Sequence, residues 1–292
     1  MHKKLQKGVP NVIGLGFAKC GTSTISRVLA EHPEVCLSSI KETNLFSYVV
    51  PDEYIDFYLS LFKHYNRERH KIVMEWSNEY IRNISNMENI KRFLGDDITF
   101  LLSYRNPFDH FRSLYFYYIM TDPYGDCRHN CQRAILDKYH RRNPWFFYDT
   151  CFERFRKVFP DSRVLVINFE DFTKNIKMSF NQLFSHLGIS SFESYSTKRH
   201  NCTIAPKNIF IDKWLRRFLL VFYQGKKGKV LYRADWRYKP YWLRKIQKLN
   251  QLEMVLDDNA REFIEDKFLP RYVRFEEIVK NDPNVIVIPD RR

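Results

Sequence analysis

The sequence has no apolar run long enough to cross a bilayer. Its longest apolar windows, such as Phe218 to Phe222, fall far short of the roughly 20 residues a spanning helix needs. It also has no Gly/Ser/Pro-rich linker, no internal repeat and no low-complexity segment. That argues for one domain over residues 1–292, with a core over about 11–190 and a helical and loop region over about 191–292. The opening MHKKLQKGVPN carries lysines with no apolar stretch behind them, so it does not read as a secretory signal. The expectation is a soluble protein, either cytoplasmic or a luminal domain cut from its anchor. Cysteine is sparse, at six residues: Cys20, Cys36, Cys127, Cys131, Cys151 and Cys202. Cys127 and Cys131, with His129 and His140 nearby, match no common closed zinc site, and no second ligand pair follows. Free thiols in a reducing compartment are expected, with a loop disulfide as the alternative for a secreted chain. Negative charge is short too: 34 Asp and Glu face 48 Lys and Arg, for a net charge of +14. Such an excess suits a polyanionic partner (nucleic acid, anionic membrane or acidic polysaccharide), or it is a solvated basic face partly balanced by a nucleotide.

What is present centres on Asn11 to Thr24, NVIGLGFAKCGTST. Val12 to Phe17 is short, apolar and uninterrupted, as in a buried parallel strand. Ile25, Val28 and Leu29 then recur at helical spacing. Between them lie Lys19, Gly21 and the hydroxyls of Thr22, Ser23 and Thr24. A strand running through a small polar loop into a helix N-terminus aims free N–H groups and the positive helix dipole at one spot, which suits an anion. Two familiar phosphate loops do not fit. The Walker A pattern needs its lysine after the glycine, and here Lys19 precedes Gly21. The dinucleotide fingerprint starts at Gly14 and Gly16, but its third glycine would fall on Lys19.

Further strands are expected at Val35–Ser39, Lys71–Ser77, Ile98–Tyr104 and Arg163–Phe169, with an edge strand at Val285–Ile288. Helices are expected at Tyr54–Tyr65, Met87–Leu94, Phe108–Met120, from Glu170 to Leu187, at Trp214–Tyr223 and at Leu252–Phe268. Strands alternating with helices predict an α/β chain with a doubly wound, mainly parallel sheet. Ligands of such sheets sit beyond the carboxyl ends of the strands. Lys19 to Thr24, Glu42, Glu75 to Ser77 and Arg105 all fall there, which points to one shared site.

The order Lys-x-Gly-Thr-Ser/Thr after a strand resembles the 5′-phosphosulfate loop of sulfotransferases that use 3′-phosphoadenosine 5′-phosphosulfate (PAPS). LSYRNPFDHFRSLYFYY resembles their 3′-phosphate motif, with Arg105 ending a strand and Ser113 eight residues later on the next helix. MEWSNEYI, VLVINFEDF and LFSHLGI are similar to further segments of that family, although Asn78 stands where a proline is usual. KETNLF is similar to the carbohydrate (heparan-sulfate-type) branch, where the glutamate is general base. The likeness covers roughly 11–188, with weaker echoes later in the chain.

The resemblance implies a sulfotransferase fold with a P-loop-like strand, loop and helix. It implies PAPS as co-substrate, 3′,5′-ADP as product and no required metal. Lys19 and Glu42 are then the catalytic candidates. Lys19, Cys20, Gly21, Thr22, Ser23, Thr24, Arg105 and Ser113 are the cofactor-binding ones, joined by Lys198 and Arg199 from a loosely matching loop. A guanidinium gives paired, charge-assisted bonds to phosphate; read from the residues alone, Arg105 could also be a surface cation, and Glu42 a capping or solvated carboxylate. The implied acceptor is a hydroxyl or amine, foremost a carbohydrate, with anionic glycans included; a small natural-product alcohol or amine is the alternative. No nucleic acid is expected as partner. Rival classes are a P-loop kinase, a polyanion-binding protein and a catalytically dead family member.

Overall fold

A computed structural model of the chain describes residues 8–48, 51–121, 132, 135–137, 146–194, 205–206, 251–252 and 255–290. Six strands, all parallel, form one sheet: β1 (Val12–Gly16), β2 (Val35–Leu37), β3 (Ile72–Trp76), β4 (Thr99–Tyr104), β5 (Val164–Asn168) and, by chain order, β8 (Val285–Ile288). Their order across the sheet is β2-β3-β1-β4-β5-β8. The chain thus moves outward from β1 on one side, returns, and continues on the other. That reversal places a crevice at the carboxyl ends of β1 and β4, where a ligand of a doubly wound sheet is expected. β6 (Ala205–Pro206) and β7 (Gln251–Leu252) pair separately and antiparallel.

Each strand feeds side chains to both faces, because successive residues of a strand point opposite ways. Phe100, Leu102, Val164 and Val166 join one buried cluster; Leu101, Leu165 and Ile167 join the other. Against the second face pack α1 (Thr22–Glu31), through Ile25, Val28 and Leu29, and α7 (Ile176–His186), through Phe180, Leu183 and Phe184. The first face is covered by α2 (Tyr54–Ser60), α3 (Ile84–Leu94), α5 (Tyr148–Val158), α8 (Asp258–Lys267) and α9 (Leu269–Asn281). α4 (Pro107–Thr121) follows β4, and α6 (Phe169–Lys174) follows β5.

Several expected boundaries move for local reasons. The Tyr54 helix stops at Ser60 and continues as turns to Tyr65. The helix after β5 is broken at Asn175, whose side chain accepts from Met178 N and so starts α7 afresh. The Leu252–Phe268 helix begins instead at Asp258, capped by Asp257, whose Oδ1 accepts from Ala260 N at 2.7 Å. α5 is an addition: Cys151, Phe152 and Phe155 line its buried face, and Arg156 clamps Asp282 beside β8 at 2.6 and 3.1 Å. The expected helix at Trp214–Tyr223, with Cys127, Cys131, Cys202, His129, His140, Lys198 and Arg199, lies outside the described residues. Cys20, Cys36 and Cys151 are buried free thiols. Burial pushes Cys36 up to about 11 and Cys151 up to about 12. Among the described residues no helix is long and apolar enough to cross a membrane.

Candidate active site

The loop after β1 is tied down before any ligand arrives. Phe17 N donates to Ser103 O at 3.1 Å, Cys20 N to Phe17 O at 3.2 Å, and Ser103 Oγ donates to Cys20 O. Lys19 has φ 70° and Gly21 φ 80°, so two of three successive residues are left-handed. For lysine that conformation costs on the order of 1–2 kcal/mol, and such outliers persist where surrounding structure over-determines them. Gly21 precedes α1, and Thr24 N and Ile25 N both donate back to its carbonyl. The N–H groups of Thr22 and Ser23, in the first turn, have no intrahelical acceptor. The Thr22 side chain is buried, while Ser23 and Thr24 are half-buried. Cys20 is fully buried; its N–H and C=O are engaged as above, and its thiol donates to Ala18 O at 3.7 Å.

Lys19 and Arg105 lie close enough to act on one another electrostatically. Burial, and next the charge of Arg105, lower the Lys19 pKa, while Glu42 opposes that shift. Lys19 Nζ stands 5.0 Å from the centre of the Tyr117 ring. Arg105 lies just past β4, and its Nε donates to Glu170 Oε1 at 2.9 Å. Asn106 N donates to the other oxygen of Glu170 at 3.0 Å. This fixes one edge of the guanidinium and leaves the η nitrogens without a hydrogen bond among the described residues. Tyr148 Oη donates to Arg105 O at 3.0 Å and meets His110 Nδ1 at 2.5 Å. Ser113 is buried on α4, the helix that Asn106 caps by accepting from Phe108 N at 3.0 Å. Two close cations, a nitrogen-rich loop and a helix N-terminus make a donor set suited to a nucleotide with separated phosphates.

Glu42 sits on a second strained loop. Glu42 has φ 59° and Asn44 φ 51°. The anchors at Glu42, Thr43 and Asn44 come from the end of β3 and the residues just beyond. Glu42 N donates to Trp76 O at 3.0 Å, Asn44 N to Ser77 Oγ at 3.1 Å, and Thr43 Oγ1 to Glu75 Oε1 at 2.6 Å. Glu75 is fully buried and also accepts from Ser77, from Tyr58 at 2.9 Å and from Tyr80 at 3.0 Å. Burial raises its pKa, and those hydroxyl donors oppose the rise. On the Glu42 carboxylate, Oε1 accepts from Lys41 Nζ at 2.7 Å and Asn78 Nδ2 at 3.1 Å. Oε2 receives no hydrogen bond among the described residues.

Three histidines that could serve as a base in place of Glu42, namely His64, His70 and His110, are engaged in the fold; His129 and His140 lie outside the described residues. His64 Nε2 meets Leu37 O at 2.9 Å, and His70 Nδ1 accepts from Asn66 N at 2.9 Å. His110 is fully buried, and burial with the nearby Arg105 charge holds its pKa at about 3. Tyr148, Glu170 and Asn78 are contributors that pattern reading does not assign. Only the apolar spacing of Tyr148, Cys151, Phe152 and Phe155 signals the helix that delivers the first of them.

A family model described as a sulfotransferase domain matches residues 10–207. No curated protein matches the sequence. Among solved structures, a sulfotransferase from Alicyclobacillus acidocaldarius is 22% identical, over 94% of this chain and 96% of that one, with a TM-score of 0.61. Mouse sulfotransferase SULT7A1, complexed with PAP, is 14% identical over 92% and 88%, with a TM-score of 0.48. The sulfotransferase domain from the curacin biosynthetic pathway is 14% identical over 88% and 97%, at 0.43. The first of these shares the fold described above, and the family model spans β1 to β5 with the loops that carry Lys19 to Thr24, Glu42 and Arg105. The chain belongs to the sulfotransferase family.

Proposed function

We propose that the protein moves the sulfuryl group of PAPS to a carbohydrate hydroxyl, with Lys19 and Glu42 on opposite sides of the transfer. The observation that carries this reading is their placement. Both side chains leave left-handed backbone at the carboxyl end of the sheet, within electrostatic reach of one another. A lysine there offsets charge growing on the leaving phosphate oxygen, and a carboxylate there takes the acceptor proton. The bond from sulfur to the acceptor oxygen forms, the bond from sulfur to the 5′-phosphate oxygen breaks, and 3′,5′-ADP leaves.

In this reading the N–H groups and hydroxyls of the Gly21–Thr24 turn hold the 5′-phosphosulfate. Arg105, through its η nitrogens, and Ser113 read the 3′-phosphate. Lys198 and Arg199 are assigned to closure over the nucleotide only through the resemblance. By analogy with phosphoryl transfer, positioning and charge stabilisation supply the catalysis, and no metal is assigned a role. The KETNLF segment favours a glycan acceptor, and the basic charge suits an anionic one. Three buried free thiols fit a reducing, cytoplasmic compartment.

The test is transfer of labelled sulfate from PAPS onto a panel of glycans and small hydroxyl and amine compounds. Turnover confined to glycans is expected. Turnover confined to small alcohols or amines would replace the carbohydrate assignment, and no transfer to any of them would remove the acceptor class altogether.

A further inference from the structure

We infer that Asn78 is a positioning residue for the Glu42 carboxylate, an inference that rests on reading Glu42 as the base. The first residue of the turn after β3, Asn78 is only 7% exposed. Its side chain makes one hydrogen bond among the described residues, from Nδ2 to Glu42 Oε1 at 3.1 Å. Its Oδ1 is buried with no partner among them. A buried amide whose carbonyl is unmet costs stability, and an apolar residue of similar size would avoid that cost. The unmet atom gives packing no reason for an amide here. The contact with Glu42 does.

The geometry gives that contact a definite task. Glu42 leaves a strained turn whose backbone is fixed by Trp76 and Ser77, but backbone anchors do not set the rotation of a carboxylate. Lys41, the neighbouring residue, reaches Oε1 on a flexible stem, and its side chain is 27% exposed. Asn78 approaches the same oxygen from a rigid, buried position. Holding Oε1 between these two donors leaves Oε2 for the acceptor proton.

A double-mutant cycle separates this role from a structural one. Single-turnover transfer from PAPS, with the best acceptor of the panel, is measured for wild type, Asn78→Ala, Glu42→Gln and the double variant. Affinity for 3′,5′-ADP is measured beside it. Asn78→Ala should lose about ten-fold in transfer rate, the scale of one hydrogen bond to a charged group, with nucleotide affinity nearly unchanged. In the Glu42→Gln background the same change should cost less than about two-fold, since the carboxylate it orients is gone. Asn78→Asp keeps the shape, removes the donor and adds a like charge, so it should lose at least as much; it stands in if the alanine variant fails to fold. Equal losses in both backgrounds, or normal transfer by Asn78→Ala and Asn78→Asp beside a disabled Glu42→Gln, would overturn this inference alone. Normal transfer by Glu42→Gln would overturn the base assignment, and this inference with it.

Discussion

The ring of Phe169 lies against the bare Cα of Gly21, where a Cβ would stand 1.9 Å from Cε2 and 2.1 Å from Cδ2. The same ring lies 5.4 Å from the Arg105 guanidinium, so one side chain at the start of α6 packs against both the Gly21 turn and Arg105. Gly21→Ala meets two obstacles, the contact and the φ of 80°. Overpacking alone costs about 1–3 kcal/mol. The expected outcome is a lower thermal midpoint and weaker 3′,5′-ADP binding. Adding Phe169→Ala should recover only part of either loss, because the backbone strain remains; full recovery would mean that φ at Gly21 is immaterial.

Arg105→Ala should weaken 3′,5′-ADP far more than adenosine 5′-phosphate. Loss of a charged hydrogen-bond pair is worth about 2–3 kcal/mol, or roughly 30- to 150-fold. Titration of both nucleotides by calorimetry provides the comparison. Equal losses would mean that Arg105 does not read the 3′-phosphate.

Lys19 gives nucleotide binding an alkaline limit. Only the protonated amine attracts phosphate, so affinity is present below its pKa and is lost as pH rises through it. Burial and Arg105 lower that pKa from its ordinary 10.5, so the loss should begin at lower pH than for an exposed lysine. Lys19→Arg stays charged throughout and should flatten the profile. Binding of 3′,5′-ADP followed from pH 7 upward tests this; a wild-type profile as flat as that of Lys19→Arg would contradict it.

His110 should make the fold acid-sensitive. It is held neutral down to about pH 3 in the native protein, whereas the unfolded chain protonates it near its ordinary 6.5. Between those values the unfolded state carries the extra proton, so stability falls as pH falls, by about 1.4 kcal/mol per pH unit. Urea unfolding at stepped pH should show a shallower acid slope in His110→Gln than in wild type. Identical slopes would show that the buried imidazole is protonated in the native state.

The loop from Lys19 to Thr24 and the position of Arg105 are legible in the sequence because each is a local pattern. Lys19 to Thr24 and Arg105 each follow an apolar strand, and a strand end predicts its own crevice. The Glu42 loop is legible as a position, and its restraint is not. Asn78 lies 36 residues further on, and only the pairing of β3 with β2 brings the two together. Tyr148 is 43 residues beyond Arg105 and reaches its carbonyl from a helix on another layer. The same distance hides the burial of His110. Helix ends shift where a side chain caps the backbone, as at Asn175 and Asp257, because asparagine and aspartate suit a helix interior poorly and its start well.

The last strand has a consequence for solubility. β8 covers β5 by parallel pairing from Val164↔Val285 to Ile167↔Ile288, and Arg156 secures the approach through Asp282. Without it, Val164, Leu165, Val166 and Ile167 would form an uncovered row of apolar residues at a sheet edge, with backbone donors and acceptors open to another chain. A version truncated after Asn281 should therefore self-associate and collect in the insoluble fraction, even though every proposed nucleotide contact is still encoded in it.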